Sequence, residues 1–281
     1  MEAEGDNGWI LDAHLCSERK DMIVWIVPKE GPVFSYREQW NPLLHVSGLV
    51  SDLEILIEWL QQPEIKIKFG ILSHLFEYKR LELGFVDKTR VLTVEAKGHG
   101  LLKQLAQHIE ERGKHVRFTL YSVDLQPEQS YLTSKRLSIG SSVMIENQQL
   151  VAMEQEVNQR SLRCCRLEVE FCKDKGFADS STEISSARIE ECDSEGKRFG
   201  RSFMIPAHHP SFAMTLGQSL REFDPDVIFT RDGNTLALPA LMTHAKRSGH
   251  TLKLGRNSSV LRQIGVARTV HSYWQVLRSD P

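Results

Sequence analysis

The chain has 281 residues, of which 41% are hydrophobic and 26% are charged, a composition typical of a soluble globular protein with one large or two modest domains. It excludes long disordered segments, collagen-like repeats and a disulfide scaffold. With 35 Lys and Arg against 37 Asp and Glu, the net charge is −2, which excludes a wholly basic protein but allows a local basic face. The five cysteines show no paired spacing, and no apolar run approaches the ~20 residues of a membrane span. We therefore expect reduced thiols, a cytoplasmic location and no membrane partner.

The first half of the sequence alternates strand patterns with two amphipathic helix patterns, which predicts an α+β domain. Its predicted elements are strands over 9–13, 21–28 and 33–36, a helix over 51–60 capped by Ser51, a hairpin over 81–94, a helix over 100–112 stopped by Gly113, and a strand over 116–123. Residues 133–162 are polar and carry few strong signals. We place a domain boundary near residue 160, which gives domains over 1–160 and 161–281.

The second half reads as several strands followed by helix, strand and helix, which describes a mixed α/β layer domain. Its predicted elements are strands over 164–172, 184–189, 198–205 and 227–229, helices over 211–223 and 239–249, and a loop over 173–181.

Three collinear segments resemble family B DNA polymerases. The run from Phe223 to Phe229 (FDPDVIF), then Leu238-Pro-Ala-Leu and Lys253-Leu-Gly-Arg, is similar to the region of the second exonuclease motif. The run from Leu120 to Leu132 (LYSVDLQPEQSYL) resembles the stretch that closes the N-terminal domain. The opening Gly8-Trp-Ile-Leu is most similar to members of the DNA polymerase II type.

The resemblance implies an α/β chain with two parts. The first part is an N-terminal domain that touches template, and Ser130 stands in it where relatives that read template bases have Arg. The second part is a ribonuclease H-like 3′→5′ exonuclease domain. In that family, acidic residues hold two divalent metal ions that activate water and stabilise the leaving oxygen.

The acidic residues of the family are only partly matched. Glu168 and Glu170 stand at the first exonuclease motif, where they alternate on one strand and project from the same face. Glu168 replaces an Asp, and its extra methylene moves the carboxylate by about an ångström, a misplacement that can cost ~10²-fold in rate. The alternative is a pair of solvent-facing glutamates on an edge strand. At the second motif Ala237 replaces the metal-binding Asp, and nearby Asp232 belongs to an Asp-Gly turn signal.

The third exonuclease motif and the polymerase palm do not occur before Pro281. Since two-metal hydrolysis needs fixed carboxylates to balance the charge of the ions, we expect no metal site and no nuclease or polymerase activity from this chain alone.

Basic residues are concentrated near the end of the chain. Residues 201–281 hold 10 Lys and Arg against 5 Asp and Glu, a balance of +5. The candidates for contact with DNA phosphates are Arg231, Lys246, Arg247, Lys253 and Arg256. The alternative for this cluster is an ordinary solvated face.

Three functions are compatible with these features. The first is a non-catalytic protein that binds single-stranded or primer-template DNA, or docks with a separately encoded polymerase subunit as an accessory or split subunit in replication or repair. The second is a 3′→5′ exonuclease or polymerase half completed in trans, which would use Mg²⁺ with Glu168, Glu170 and carboxylates of another chain. The third is a structural or regulatory protein that has lost DNA contact.

Overall fold

The computed structural model describes residues 7–16, 21–80, 87–154, 160–172, 181–255 and 260–261, together with the backbone of 268–271 and 276–279. The chain divides into two compact units, Met1–Arg160 and Ser161–Pro281. Both units mix helices with antiparallel strands, so the predicted α/β class is confirmed. Within the described residues, every helix is too short or too polar to span a bilayer.

The described residues of the first unit form two sheets and four helices. Its elements are β1 (Asn7–Leu15), β2 (Asp21–Pro28), β3 (Phe34–Gln39), β4 (Leu43–Gly48), α1 (Val50–Leu60), α2 (Pro63–Phe69), β5 (Ile71–Lys79), β6 (Thr89–Ala96), α3 (His99–Arg112), β7 (Phe118–Tyr121), α4 (Pro127–Ser134), β8 (Ser142–Glu146) and β9 (Gln149–Ala152).

The five-stranded sheet of this unit has the order β3-β2-β1-β8-β9. Strand β2 lies inside the sheet, and its apolar run is buried on both faces rather than alternating, since the consecutive residues Met22, Ile23 and Val24 are all buried. Helix α4 covers one face and places the fully buried ring of Tyr131 in the core. The Tyr131 hydroxyl donates to Glu38 Oε2 at 2.7 Å, and Lys135 Nζ lies 2.8 Å from Glu38 Oε1, so the buried polar group is satisfied.

The four-stranded sheet has the order β5-β6-β4-β7, in which a β-α-β-β-α-β chain path places the first and third strands at the centre. Helices α1 and α3 turn their leucines onto the central strands, and Leu56, Leu92, Val94 and Leu105 are buried in this core. Helix α3 ends at Gly113, as predicted, although the left-handed backbone that follows the helix is carried by Lys114 and His115.

Three sequence predictions for this unit need correction. Ser51 lies inside α1, whose N-cap is Leu49 and has no side-chain cap. The predicted hairpin over 81–94 is formed by β6 and by β5, which ends at Lys79 and so precedes the predicted range. Residues 81–86 lie outside the described residues. The polar stretch after residue 133 contains a hairpin of β8 and β9, which turns at Asn147 and Gln148 with positive φ angles of 50° and 60°.

In the second unit, the part of the chain that the structure describes forms one four-stranded sheet, a two-stranded ribbon and two α-helices. Its elements are β10 (Cys164–Phe171), β11 (Ile184–Cys192), β12 (Arg198–Pro206), α5 (Phe212–Phe223), β13 (Val227–Phe229), a π-helical turn (Gly233–Ala237), α6 (Leu238–Arg247), β14 (Arg268–His271) and β15 (Val276–Ser279).

The sheet order is β12-β11-β10-β13, with β10 to β12 antiparallel and β13 parallel to β10. This is the ribonuclease H-like arrangement that the resemblance implies. Helix α5 connects β12 to β13 and buries Leu216 and Leu220 against Leu167 and Ile189 of the sheet. Because β10 and β13 run parallel, and Arg166 pairs with Phe229, the residues after both positions emerge at the same edge of the sheet.

A bulge interrupts the pairing of β12 with β11. Ser202 lies opposite Glu190 and Arg198 lies opposite Cys192, so three residues of β12 face Glu191 alone. Gly200 takes a φ of 72°, which suits glycine. The carboxylate of Glu191 turns back over the bulge and accepts a hydrogen bond from the Arg201 backbone N–H at 2.9 Å.

Candidate functional site

The two glutamates of the first motif lie on one face of β10. Leu167 points into the helix-covered core, so its neighbour Glu168 and the following Glu170 occupy the opposite face, as the alternation predicts. The strand is not an edge strand, because β11 and β13 lie on either side of it. However, β13 pairs only with residues up to Arg166, so the edge beside Glu168 is open toward the residues that follow β13.

Glu168 is held by two arginines. Its Oε1 lies 2.5 Å from Arg198 Nη2 and 3.6 Å from Arg166 Nη1. Arg198 also reaches the neighbouring strand, where its Nε lies 2.8 Å from Oε2 of the largely buried Glu190. One guanidinium group therefore joins two carboxylates that would otherwise repel each other.

Glu170 is paired in the same way. Its Oε1 lies 3.2 Å from Arg188 Nη2, and its Oε2 accepts a hydrogen bond from the Ser186 hydroxyl at 2.8 Å. Both partners belong to β11, in which Ser186 is directly opposite Glu170. The face of the sheet is thus a ladder of alternating carboxylates and guanidinium groups, which we call the Glu–Arg ladder; its members are Glu168, Glu170, Glu190, Arg166, Arg188 and Arg198.

The second motif supplies no carboxylate at its expected position. Ala237 is buried at the end of the π-helical turn, and its backbone N–H donates to the Asp232 carbonyl at 3.0 Å. Asp232 adopts a left-handed φ of 49° and begins this turn, and its exposed carboxylate lies 3.7 Å from Arg231 Nε. The Asp-Gly pair forms a turn, as its sequence indicates, and the Asp232 carbonyl accepts the backbone hydrogen bonds that close this turn.

A divalent metal ion needs several oxygen ligands whose charge is available to it. In the described residues, no cluster of three or more His, Cys, Asp or Glu side chains could hold a metal ion. Glu168 and Glu170 are already neutralised by guanidinium groups, and Ala237 offers a methyl group. These residues therefore do not fit the two-metal site that the resemblance implies.

A cleft of about 380 Å³ opens beside Glu168 at the shared edge of β10 and β13. The residues that line it are Arg166, Glu168, Phe229, Thr230 and Arg231. The Thr230 hydroxyl is buried and makes no hydrogen bond to any described residue. The cleft thus combines an aromatic residue, a threonine and two arginines with one neutralised glutamate. Ala237 and Glu170 are not among its lining residues.

The predicted DNA contacts fall into two places. Arg231 lines the cleft with a side chain that is 95% exposed. Lys246 and Arg247 lie in the last turn of α6, and the Arg247 Nη1 donates to the Ser181 carbonyl at 3.2 Å. Lys253 follows on an exposed segment whose backbone contacts α5. Arg256 lies outside the described residues.

Sequence reasoning missed the arginine partners of the glutamates. Arg188 and Arg198 stand on strands that were predicted, but their distance from Glu168 depends on the cross-strand register. If β10 and β11 are paired as antiparallel neighbours, Arg188 lies directly opposite Glu168. This cross-strand pair of opposite charges is the signal from which the ladder could have been predicted.

Comparison with solved structures places this geometry in a known context. The chain matches the structure of the family B DNA polymerase from the hyperthermophilic archaeon Pyrobaculum calidifontis with a TM-score of 0.68 and 18% sequence identity. This chain has a family B DNA polymerase fold. The match covers 92% of this chain and 34% of the polymerase, so the chain spans about a third of that protein's length. No protein-family profile matches the sequence, and no curated protein matches it either.

The match confirms the family B polymerase-like fold that the resemblance implies, a mixed α/β chain with several antiparallel sheets. A match at 18% sequence identity supports the fold alone, so the chemistry has to be inferred from the residues of this chain. Those residues build a cleft at the carboxyl end of β13, beside the middle of the parallel strand β10, with arginines along its walls.

Proposed function

We propose that this chain is a non-catalytic, family B polymerase-like protein that binds DNA, single-stranded or primer-template, and acts as an accessory or split subunit of a DNA polymerase in replication or repair. The observation that carries the proposal is the Glu–Arg ladder beside the cleft, where Arg198 Nη2 lies 2.5 Å from Glu168 Oε1. We expect the protein in the cytoplasm, on the basis of its sequence.

The cleft suits a phosphate group better than a metal ion. Arg231 has only a long 3.7 Å contact with an exposed Asp232, and such exposed ion pairs contribute little. Its guanidinium group therefore remains available to a phosphate oxygen, which it can bind in a bidentate way. Phe229 and Thr230 line the cleft beside it.

The end of α6 provides a second group of cations. Lys246 and Arg247 occupy the last turn, and Lys253 follows within the same unit. All three are exposed. A strand of DNA that contacts several such cations releases counterions, so its affinity falls steeply as salt rises.

The ladder also supports the absence of hydrolysis by the chain alone. A metal ion at Glu168 would have to displace Arg198, and the released guanidinium group would lose Glu190 as well. The second motif adds a buried methyl group at Ala237 where a carboxylate would be needed. Both features oppose the assembly of two metal ions.

The binding half of the proposal is tested by fluorescence anisotropy with labelled single-stranded and primer-template DNA at about 50 and 200 mM salt. We expect binding that weakens by at least about tenfold over this range. Arg231→Ala should weaken binding to all sequences alike and reduce the salt slope by about one. Arg37→Ala, which removes an exposed arginine of β3, is the matched control and should bind as the unchanged protein does. Absence of salt-dependent binding to either DNA would favour a purely structural role and contradict the proposal.

The catalytic half is tested by incubating end-labelled single-stranded DNA with the protein and Mg²⁺ or Mn²⁺. We expect no shortening of the DNA. Degradation by the protein alone that disappears in Glu170→Ala would contradict the proposal. Degradation that appears only after mixing with a separately encoded polymerase subunit would instead establish a nuclease completed in trans.

A further inference from the structure

Two cysteines of the second unit face each other across a strand pair. Cys164 is the first residue of β10 and Cys192 is the last residue of β11, and the two are direct partners in the antiparallel register. Directly opposite residues in such a ladder have Cα atoms about 4.5–5.5 Å apart. A disulfide spans Cα separations of ~4.4–6.8 Å, so the register places both residues within bridging range.

Both thiols lie on the same side of the sheet. Cys165, the chain neighbour of Cys164, packs into the core under the helices, so Cys164 points to the opposite face. Residues that are directly opposite in a ladder share a face, which puts Cys192 beside Cys164. The exposed fraction is 7% for Cys164 and 2% for Cys192, and both are free thiols.

Because both thiols are buried, oxidation requires local opening of this end of the sheet. The pair is the terminal rung of the β10–β11 ladder, where opening costs less than at the centre of a sheet. Cys164 also pairs with Val227 of β13, and Cys192 with Arg198 of β12. The described residues give the Cys164 thiol one hydrogen bond, a long 3.6 Å contact with the Leu162 carbonyl, which rotation of the side chain breaks.

We propose that Cys164 and Cys192 form a reversible cross-strand disulfide when the protein meets a low-molecular-weight disulfide such as oxidised glutathione. The Cys164 thiolate attacks one sulfur of the oxidant, which releases the first small thiol and leaves a mixed disulfide. The Cys192 thiolate then attacks the Cys164 sulfur and releases the second small thiol. The two protein cysteines are oxidised, the oxidant is reduced to two thiols, and the two protons lost by the cysteines end on those thiols.

The bridge would fasten the start of β10 to the end of β11. Residues 164 and 192 lie far apart along the chain, so the cross-link closes a long loop that includes the described strands between them. Such a constraint stabilises a protein mainly by limiting its unfolded state. We expect oxidation to leave the ribonuclease H-like sheet intact and to raise its resistance to unfolding.

The experiment treats the intact chain with oxidised glutathione, blocks remaining thiols with iodoacetamide, and maps the peptides by mass spectrometry. We expect a linkage between the peptide that carries Cys164 and the one that carries Cys192, together with a rise in the melting temperature on the order of 5 °C that dithiothreitol reverses. Fragmentation of the unchanged protein's linked peptides locates the bridge at Cys164 or Cys165, even if a variant fails to fold.

Cys164→Ala and Cys165→Ala form a matched pair, because the two residues are adjacent but face opposite sides of the sheet. The linkage should disappear in the first variant and persist in the second. A linkage that runs through Cys165 or Cys172, or free thiols at Cys164 and Cys192 after prolonged treatment, would overturn the proposal.

Discussion

At the scale of single residues, the environment of a side chain decides whether its charge is available for chemistry. Glu168 keeps the negative charge that an exonuclease site requires, but Arg198 and Arg166 already balance it. A lone glutamate in the sequence predicts a candidate ligand, whereas the paired glutamate in the structure is part of the scaffold. Buried titratable groups elsewhere in the chain show the same dependence on their neighbours.

His45 on β4 is held neutral by its surroundings. Lys79 Nζ lies 3.3 Å from His45 Nε2, and since an ammonium group only donates, Nδ1 carries the ring proton and donates to Thr93 Oγ1 at 2.9 Å. Thr93 in turn donates to Glu77. Burial, with the positive charge of Lys79 as the next cause, lowers the pKa of His45 from 6.5 to about 4.

The stability of the first unit should therefore decrease on acidification. Because the pKa of His45 is lower in the folded state, the unfolded chain binds more protons between pH 6.5 and 4, and stability present above pH 6.5 is lost as the pH falls through this window. Urea unfolding at pH 7 and pH 5 should show a smaller pH-dependent loss in His45→Gln than in the unchanged protein. His74 and His99, whose pKa values burial also lowers, contribute to both proteins equally. An identical loss in the two proteins would refute the assignment.

At the scale of elements, close contacts set what a helix tolerates. Gly217 lies in the middle of α5, where a methyl group added to it would meet the Lys253 carbonyl at 2.4 Å. The absence of a side chain thus lets the segment with Lys253 lie directly on the helix, and Arg221 Nη1 donates to the same carbonyl at 3.4 Å.

Gly217→Ala should destabilise the second unit by about 1–3 kcal/mol, because overpacking outweighs the gain of up to ~1 kcal/mol in helix propensity. Gly100 in α3 has no atom within 4 Å of the added carbon, so Gly100→Ala is the control and should be neutral or stabilising. Thermal unfolding of both variants measures the difference. If Gly217→Ala were more stable than the unchanged protein, the segment with Lys253 would have moved away from the added methyl group without cost, which would contradict the prediction.

The elements also show what the sequence can predict. Strands β2 and β13 and helices α3 and α5 match their predicted ranges closely, because apolar runs and clear helix ends specify them locally. Helix α2 and the β8–β9 hairpin were missed because they are short, and β8 takes its place by pairing with the distant β1. The candidate glutamates and their shared face were predictable from alternation. Their arginine partners depend on the register between strands, which a single strand does not encode.

At the scale of the whole molecule, each hydrophobic cluster of the described residues belongs to a single unit, two to the first unit and one to the second. Leu216 is fully buried among residues of the second unit, and Leu56 is almost fully buried among residues of the first. Both cores draw on helices and strands from within one unit. This organisation predicts that damage to one core stays within its unit.

Leu216→Ala should lower the stability of the second unit by about 2–5 kcal/mol, and Leu56→Ala should do the same to the first. Hydrogen exchange followed by mass spectrometry should show lost protection in β10 and β11 for the first variant, and in β4 and β6 for the second. Loss of protection in both units of either variant would contradict independent cores.

The bulge of β12 has a consequence for how the protein behaves in crowded solution. An outer strand with free amide and carbonyl groups is a template onto which another chain can grow a fibril. Here the Glu191 carboxylate caps one amide, Gly200 bends the strand out of plane, and the charged groups of Arg198 and Arg201 flank the bend. The strand keeps Phe199 exposed without offering a straight row of backbone groups beside it, so self-adhesion through this border is disfavoured.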